Sequence, residues 1–277
     1  MMPSSHVGSV KTSSLMLSAV LAALVCVTAA KPAKNIKLAK YVPNLCKFSD
    51  PMLDKCMTDN VKEILKYAKT GIPELNIPVL EPFIIQELDL TIFRGISSTL
   101  LGGGSQRTDK HKSYVRNLKI HHSSEFTMNQ LKSNFKNKEF YLDLFFPRFE
   151  MEGEYDVNLQ MFNMPIKSTG PVYINVTNTL VKATLNGQTI KRKNETYLLF
   201  DTISINVDFK DFSVMIENLF KKDQNLNRGI NDMIKTQKAE LRKLMMPMIE
   251  ELAGKMVLDM VNKILANLPL EEVFIMD

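Results

Sequence analysis

Hydrophobic residues recur at every second position from about Ile84 to Ile216. Leu88, Leu90 and Ile92 alternate with Glu87, Asp89 and Thr91, and Tyr155, Val157, Leu159 and Met161 with Asp156, Asn158 and Gln160. Val172, Ile174 and Val176 oppose Asn175 and Thr177, while Ile203, Ile205, Val207 and Phe209 alternate with Ser204, Asn206 and Asp208. Phe140, Leu142, Leu144 and Phe146 follow the same period less cleanly, with Tyr141, Asp143 and Phe145 between them. A period of two sends successive side chains to opposite faces, so these runs predict an antiparallel sheet with one apolar and one wet face. Asn186-Gly187 predicts a hairpin turn between two of the strands. Gly102-Gly103-Gly104 predicts a flexible hairpin tip, because no Lys-Ser/Thr follows that would hold a phosphate.

Near Asn227 the period changes to 3.6, with Ile230, Met233, Ile234, Gln237, Leu241, Leu244, Met245, Met248, Ile249, Leu252, Met256, Met260 and Ile264 in phase. A helix from there to Asn267 would be about 60 Å long at 1.5 Å per residue. Pro247 inside it predicts a kink or a break. A shorter helical rhythm over Met57–Lys69 is stopped by Gly71, and Pro73, Pro78 and Pro82 then hold an extended lead-in. One half-buried sheet followed by one long apolar-faced helix predicts a single α+β domain in which a strongly curved antiparallel β-sheet wraps the C-terminal helix. There is no reliable internal repeat.

The N-terminus reads as an address. Lys11 precedes the apolar run Leu15–Val27, then Thr28-Ala29-Ala30 and a polar Lys31-Pro32. The run is too short for a bilayer of about 20 residues and ends in small residues that signal peptidase accepts. Residues 1–30 are therefore expected to be a signal peptide and 31–277 the secreted, extracellular domain. Cys26 leaves with the leader, and Cys46 and Cys56 are most simply one local disulfide in an oxidising compartment. Closing so short a loop stabilises by about 2–3 kcal/mol in the chain-entropy model. Asn175-Val176-Thr177 and Asn194-Glu195-Thr196 are glycosylation sequons, one on the polar phase of a strand and one in a polar turn.

Charge excludes more than it suggests. The chain carries +5, and Lys11 is the one charged residue of the first thirty, so the remainder carries +4 with both signs interspersed. That is no basic stripe for nucleic acid, and no stable membrane insertion is expected. Of the histidines after the leader, His111, His121 and His122, the adjacent pair would point to opposite faces of a strand, which disfavours a shared metal. No nucleophile elbow, His-Glu-x-x-His or Walker loop occurs. Glu150, Glu152, Glu154 and Asp156 share one strand face and read as a solvated surface. Neither an enzyme, a cofactor nor a metal is expected. What stands out is soft apolar surface: 17 Met and 15 Phe against no Trp. Adaptable interiors of that kind suit a flexible hydrophobic guest.

Several stretches occur in a family-specific order. Cys46-x9-Cys56 encloses Ser49-Asp50-Pro51, and Gly71-Ile72-Pro73-Glu74-Leu75 and Ile77-Pro78-Val79-Leu80-Glu81-Pro82 follow. Next come Phe146-Pro147-x4-Glu152-Gly153-Glu154-Tyr155, Met164-Pro165-Ile166-x3-Gly170-Pro171, Asn218-Leu219-Phe220 and Leu268-Pro269-Leu270-Glu271-Glu272-Val273-Phe274. From about residue 40 to 277 the chain resembles the insect takeout and juvenile hormone-binding protein family, on its takeout branch. The resemblance implies a monomeric carrier of the tubular lipid-binding type, with an apolar tunnel between helix and sheet and the family's N-terminal disulfide at Cys46 and Cys56. A Trp common early in the family's long helix is absent, and Thr236 and Gln237 stand in that region.

The combined expectation is a non-enzymatic secreted carrier for a juvenile hormone-like terpenoid or fatty lipid. Burial of such a chain contributes roughly 0.8 kcal/mol per CH₂, so tight binding needs no polar anchor. The in-phase residues Leu88, Leu90, Leu142, Leu144, Val157, Leu159, Ile174, Val176, Ile203, Ile205, Met245, Met248 and Leu252 are the candidate tunnel lining. Two other readings stay open: a secreted interaction or signalling module with a closed core, and a membrane-active lipid-binding defence protein.

Overall fold

The computed structural model describes residues 38–90, 113–161, 164–221 and 223–276, with the side chains of residues 159–161, 164 and 165 left out. The leader, the Gly102–Gly104 tip and His111 lie outside them. The described residues open with a 3-10 turn (Leu38–Lys40), a short strand β1 (Cys46–Lys47) and helix α1 (Leu53–Leu65). Strands β2 (Phe83–Asp89), β3 (Tyr114–His121), β4 (Thr127–Asn134), β5 (Glu139–Met161), β6 (Met164–Arg192) and β7 (Glu195–Ile216) follow. Helices α2 (Gln224–Thr236), α3 (Lys238–Leu265) and α4 (Leu270–Val273) and strand β8 (Phe274–Ile275) complete it. The strands form an antiparallel sheet in the order β2-β3-β5-β6-β7, with β4 beside the N-terminal half of β5. It is a curled half-barrel with the long helical segment laid along β7.

The alternation that predicts the strands holds, with one slip that bends the sheet. On β5 the inward set is Phe140, Leu142, Leu144 and Phe146, then Phe149, Met151, Tyr155 and Val157, so Pro147 and Arg148 are both exposed. On β6 Thr177 and Asn178 are both exposed, and on β7 Lys210 and Asp211. The ladder pairs Arg148 with Thr177 and Thr177 with Asp211 but skips the row Pro147, Asn178 and Lys210. Pro147 has no N–H to give, and Asn178 takes a left-handed φ of 51°, which Asn tolerates better than most residues. At the same level the partner of β5 changes from β4 to β3.

Two expectations need correction. Asn186-Gly187 is no hairpin: it lies inside β6, where the register with β7 shifts by one residue. A Cβ on Gly187 would sit 2.2 Å from the Leu199 carbonyl oxygen, so the glycine serves a bulge against a close strand. The real turn is Lys193-Asn194, with successive φ of 48° and 72°, the pair of positive values that a tight I′ turn requires. Nor does Pro247 break the helix. It is exposed inside α3, on the outer side where a helix yields to water most easily. The break is at Gln237 between α2 and α3, where the Thr236 hydroxyl donates back to the Met233 carbonyl. Lys238 meets Asp211 there at 2.8 Å, so the helical segment turns at the level where the sheet bends.

Candidate functional site

One edge of the sheet is β7, and the helices run antiparallel along it. From Ile216 to Phe200 the strand covers roughly 50 Å at 3.3 Å per residue, and from Asn231 to Asn262 the helices cover a similar ~46 Å. Polar side chains stitch the two together. Asn262 accepts from the Phe200 N–H at 2.9 Å and donates to the Phe200 carbonyl at 2.8 Å. Asn231 does the same at Ile216, at 3.0 and 2.9 Å. Each amide thus stands in for a neighbouring strand, protecting an edge that otherwise invites pairing with another chain. Glu250 accepts from the Val207 N–H at 2.9 Å and from Asn206 at 3.0 Å. Arg242 pairs with Asp208 and lies over the Phe209 ring, and Lys238 lies over Phe212.

Between helix and sheet, three packed groups stand out among the described residues. At one end Phe140, Leu185, Leu198, Phe200, Leu270 and Phe274 are buried, with Leu142, Ile203 and Ile205 against them. Edge-to-face rings of Phe48, Phe135, Phe140, Phe200 and Phe274 close this end. The Cys46–Cys56 disulfide secures it by joining β1 to α1, and β1 pairs in parallel with β8. At the other end Val115, Leu118, Tyr155, Val157, Val172 and Ile230 are buried, with Leu88, Leu90 and Ile174 against them. The Tyr155 hydroxyl donates to the Glu217 carbonyl at 2.5 Å and Ser168 to Asn218 at 3.0 Å. Burial pushes the Tyr155 hydroxyl above its ordinary pKa. Between the ends, Val207, Phe209, Phe212 and Leu241 gather Val176, Ile205 and Met245.

The candidate lining residues therefore divide among these groups rather than forming one wall. Leu144, Met248 and Leu252 belong to none of the three, yet all are half-buried. Leu159 pairs with Ile166 in the ladder, and its side chain is outside the description. A cavity of about 410 Å³ opens on the seam between β7 and α3, lined by Thr202, Ile203, Ile205, Glu250, Glu251, Gly254, Lys255 and Leu258. Only Ile203 and Ile205 of its lining follow from strand alternation. The isolated Gly254 in an otherwise good helix pattern was the available signal for the rest.

The buried polar side chains are Ser168 and Thr179 among the described residues, and they differ in pairing. Thr179 is 3% exposed, and its hydroxyl has no hydrogen-bond partner among the described residues. A buried unsatisfied hydroxyl costs about 1–3 kcal/mol, and an apolar group of the same shape avoids that cost. Thr179→Val should therefore raise the unfolding free energy by about 1 kcal/mol, read as a higher denaturation midpoint with unchanged m-value.

The outer face carries the acidic row and the histidines. Arg116 meets Asp156 at 2.7 Å and Glu87 at 3.2 Å, and Lys119 meets Glu152 at 2.9 Å. The hydrogen bond from Lys119 holds the Glu152 carboxyl below its usual value. His122 contacts Glu125 at 2.8 Å and Glu150 at 3.7 Å, whereas His121 approaches Glu81 at 3.9 Å and Glu152 at 4.0 Å. Among the described residues no group of histidine, cysteine and carboxylates is arranged to hold a metal ion, and no helix is long and apolar enough to cross a membrane. Asn175 and Asn194 are both exposed.

Comparison with known proteins agrees with this geometry. Residues 20–275 match the model of a family described as haemolymph juvenile hormone binding protein. The circadian clock-controlled protein daywake of Drosophila melanogaster is 24% identical over 235 residues, covering 83% of this chain and 85% of that protein. Its Drosophila yakuba counterpart is 23% identical over the same shares. The crystal structure of Takeout 1 from Epiphyas postvittana superposes with a TM-score of 0.63 at 15% identity, over 83% of this chain and 98% of the other. That likeness shows the fold.

Proposed function

The chain belongs to the haemolymph juvenile hormone binding protein family, and from that membership we propose that it is a secreted, non-enzymatic, monomeric carrier of a long hydrophobic molecule, a juvenile hormone-like terpenoid or a fatty lipid. The guest lies in an apolar tunnel between the half-barrel and α3. The observation that carries the reading is the state of the interior: Leu144, Met245, Met248 and Leu252 point to the core by phase but are only half-buried. A close-packed core would bury such side chains fully. Residues 1–30 supply export, and the Cys46–Cys56 bridge fits an oxidising compartment. Among the described residues no charged side chain is buried in the interior, so affinity comes from apolar contact, with soft methionines adapting to the guest.

The test is to purify the protein from the medium of secreting cells, extract it with organic solvent and identify what comes off by mass spectrometry, with heat-denatured protein as control. A stoichiometric hydrophobic molecule is expected. A protein that yields none and takes up no fluorescent fatty probe has a closed core, and the function then lies on its outer surface.

A further inference from the structure

We propose that the seam between β7 and α3 at Gly254 is the doorway through which the guest passes between solvent and the interior. This inference rests on the carrier reading and adds the route. The seam is stitched unevenly. Along β7 from its C-terminal end, Asn231 holds Ile216, Lys238 holds Asp211, Arg242 holds Asp208, and Glu250 holds Val207 and Asn206. The next tie is Asn262 on Phe200. Between Asn206 and Phe200, among the described residues, no hydrogen bond or ion pair joins helix to strand, and the cavity opens in that interval.

Three further features suit a doorway. First, α3 presents a buried Gly254 to the strand: a Cβ built there would lie 3.4 Å from Ile203 Cγ2 and 3.5 Å from Ile205 Cγ2, so apolar contact alone closes helix on strand here, and a side chain larger than Ala would crowd both isoleucines. Second, the walls are apolar, from Ile203, Ile205 and Leu258, while Glu251 and Lys255 pair with each other at 2.6 Å on the exposed rim. An entering chain therefore loses water against hydrocarbon without displacing a buried ion pair. Third, among the described residues the two ends are tied more firmly than this interval, one by the stacked phenylalanine rings and the other by the Tyr155 and Ser168 hydrogen bonds. The unstitched interval is five residues of strand, 201–205, with roughly 20 Å between the flanking ties. An extended chain can slip through it side-on, which selects linear lipids over compact ones.

The test is stopped-flow uptake and release of a fluorescent long-chain fatty probe by wild type, Gly254→Ala, Gly254→Leu and Thr202→Trp. Narrowing a doorway slows entry and exit alike. Gly254→Leu and Thr202→Trp are therefore expected to lower both rate constants at least tenfold while the Kd stays within about twofold. Gly254→Ala, whose Cβ makes ordinary contacts, should change the rates little. Thr202 is exposed on the rim, so its variant keeps the test available if Gly254→Leu does not fold. Unchanged rates in a folded variant would overturn the doorway and leave the carrier reading intact. Weaker affinity with unchanged association would also overturn it, making the gap part of the resting site. Wild type that takes up no probe removes the carrier reading and the doorway with it.

Discussion

Leu144→Arg abolishes uptake of a hydrophobic probe, by a factor of at least one hundred, while the protein is still exported and folded. Leu144 lies mid-strand on β5, opposite Val181 on one side and Met128 on the other. It points inward in phase with Phe140 and Leu142 and is half-buried, outside the three packed groups seen among the described residues. In an ordinary core, a guanidinium at such a place costs several kcal/mol of stability. Beside a guest-holding hollow, the long side chain instead fills the space with charge and its water, and binding falls. The measurement is probe titration alongside thermal unfolding, with Asp143→Ala on the opposite face as a control that leaves uptake unchanged. A folded Leu144→Arg protein that binds as the wild type does would falsify the assignment of this face to the guest.

Asn262→Ala lowers the unfolding free energy by about 2–3 kcal/mol, because it removes two hydrogen bonds and leaves a backbone N–H and C=O of the buried Phe200 without partners. Asn231→Ala acts likewise at Ile216. The two sites are separated by most of the length of β7, so the losses should add in the double variant. Denaturant titration reads both values. The double variant should also aggregate more readily, since its open edge offers ladder positions to another chain. A loss below about 0.5 kcal/mol for either single variant would show that the helix stays on the edge by apolar contact alone.

The fold was legible because it rests on two periods that survive in one sequence. Leu142, Val157, Ile174 and Ile205 could be assigned inward from alternation alone, and Met245 and Leu252 from the 3.6 rhythm. Family motifs such as Phe146-Pro147 and Leu268-Pro269 then fixed the architecture. Asn186-Gly187 misled because a dipeptide suited to left-handed turns is equally suited to a bulge. Which one forms depends on the strand beside it, here the Leu199 carbonyl. The helix break was misplaced because propensity singles out Pro247, whereas the bend is set at Gln237 by Asp211 on the facing strand. Long-range placement also explains why the cavity lining escaped notice. Glu250 and Lys255 are ordinary surface residues of a helix until β7 is laid beside them.

The skipped row at Pro147, Asn178 and Lys210 makes the strands a text in two reading frames. Before it, one parity of residue number faces the interior, and after it the other. A single-residue deletion in β6 on either side of Asn178 would turn everything up to that row inside out, placing Lys182 or Lys167 where Val181 or Ile166 belongs. Added or lost residues are accommodated in the turns, as at Lys193-Asn194, or in pairs that preserve parity. The barrel's length is in this sense quantised in steps of two residues, and a guest of another length would have to be met by changing side chains rather than by changing strands.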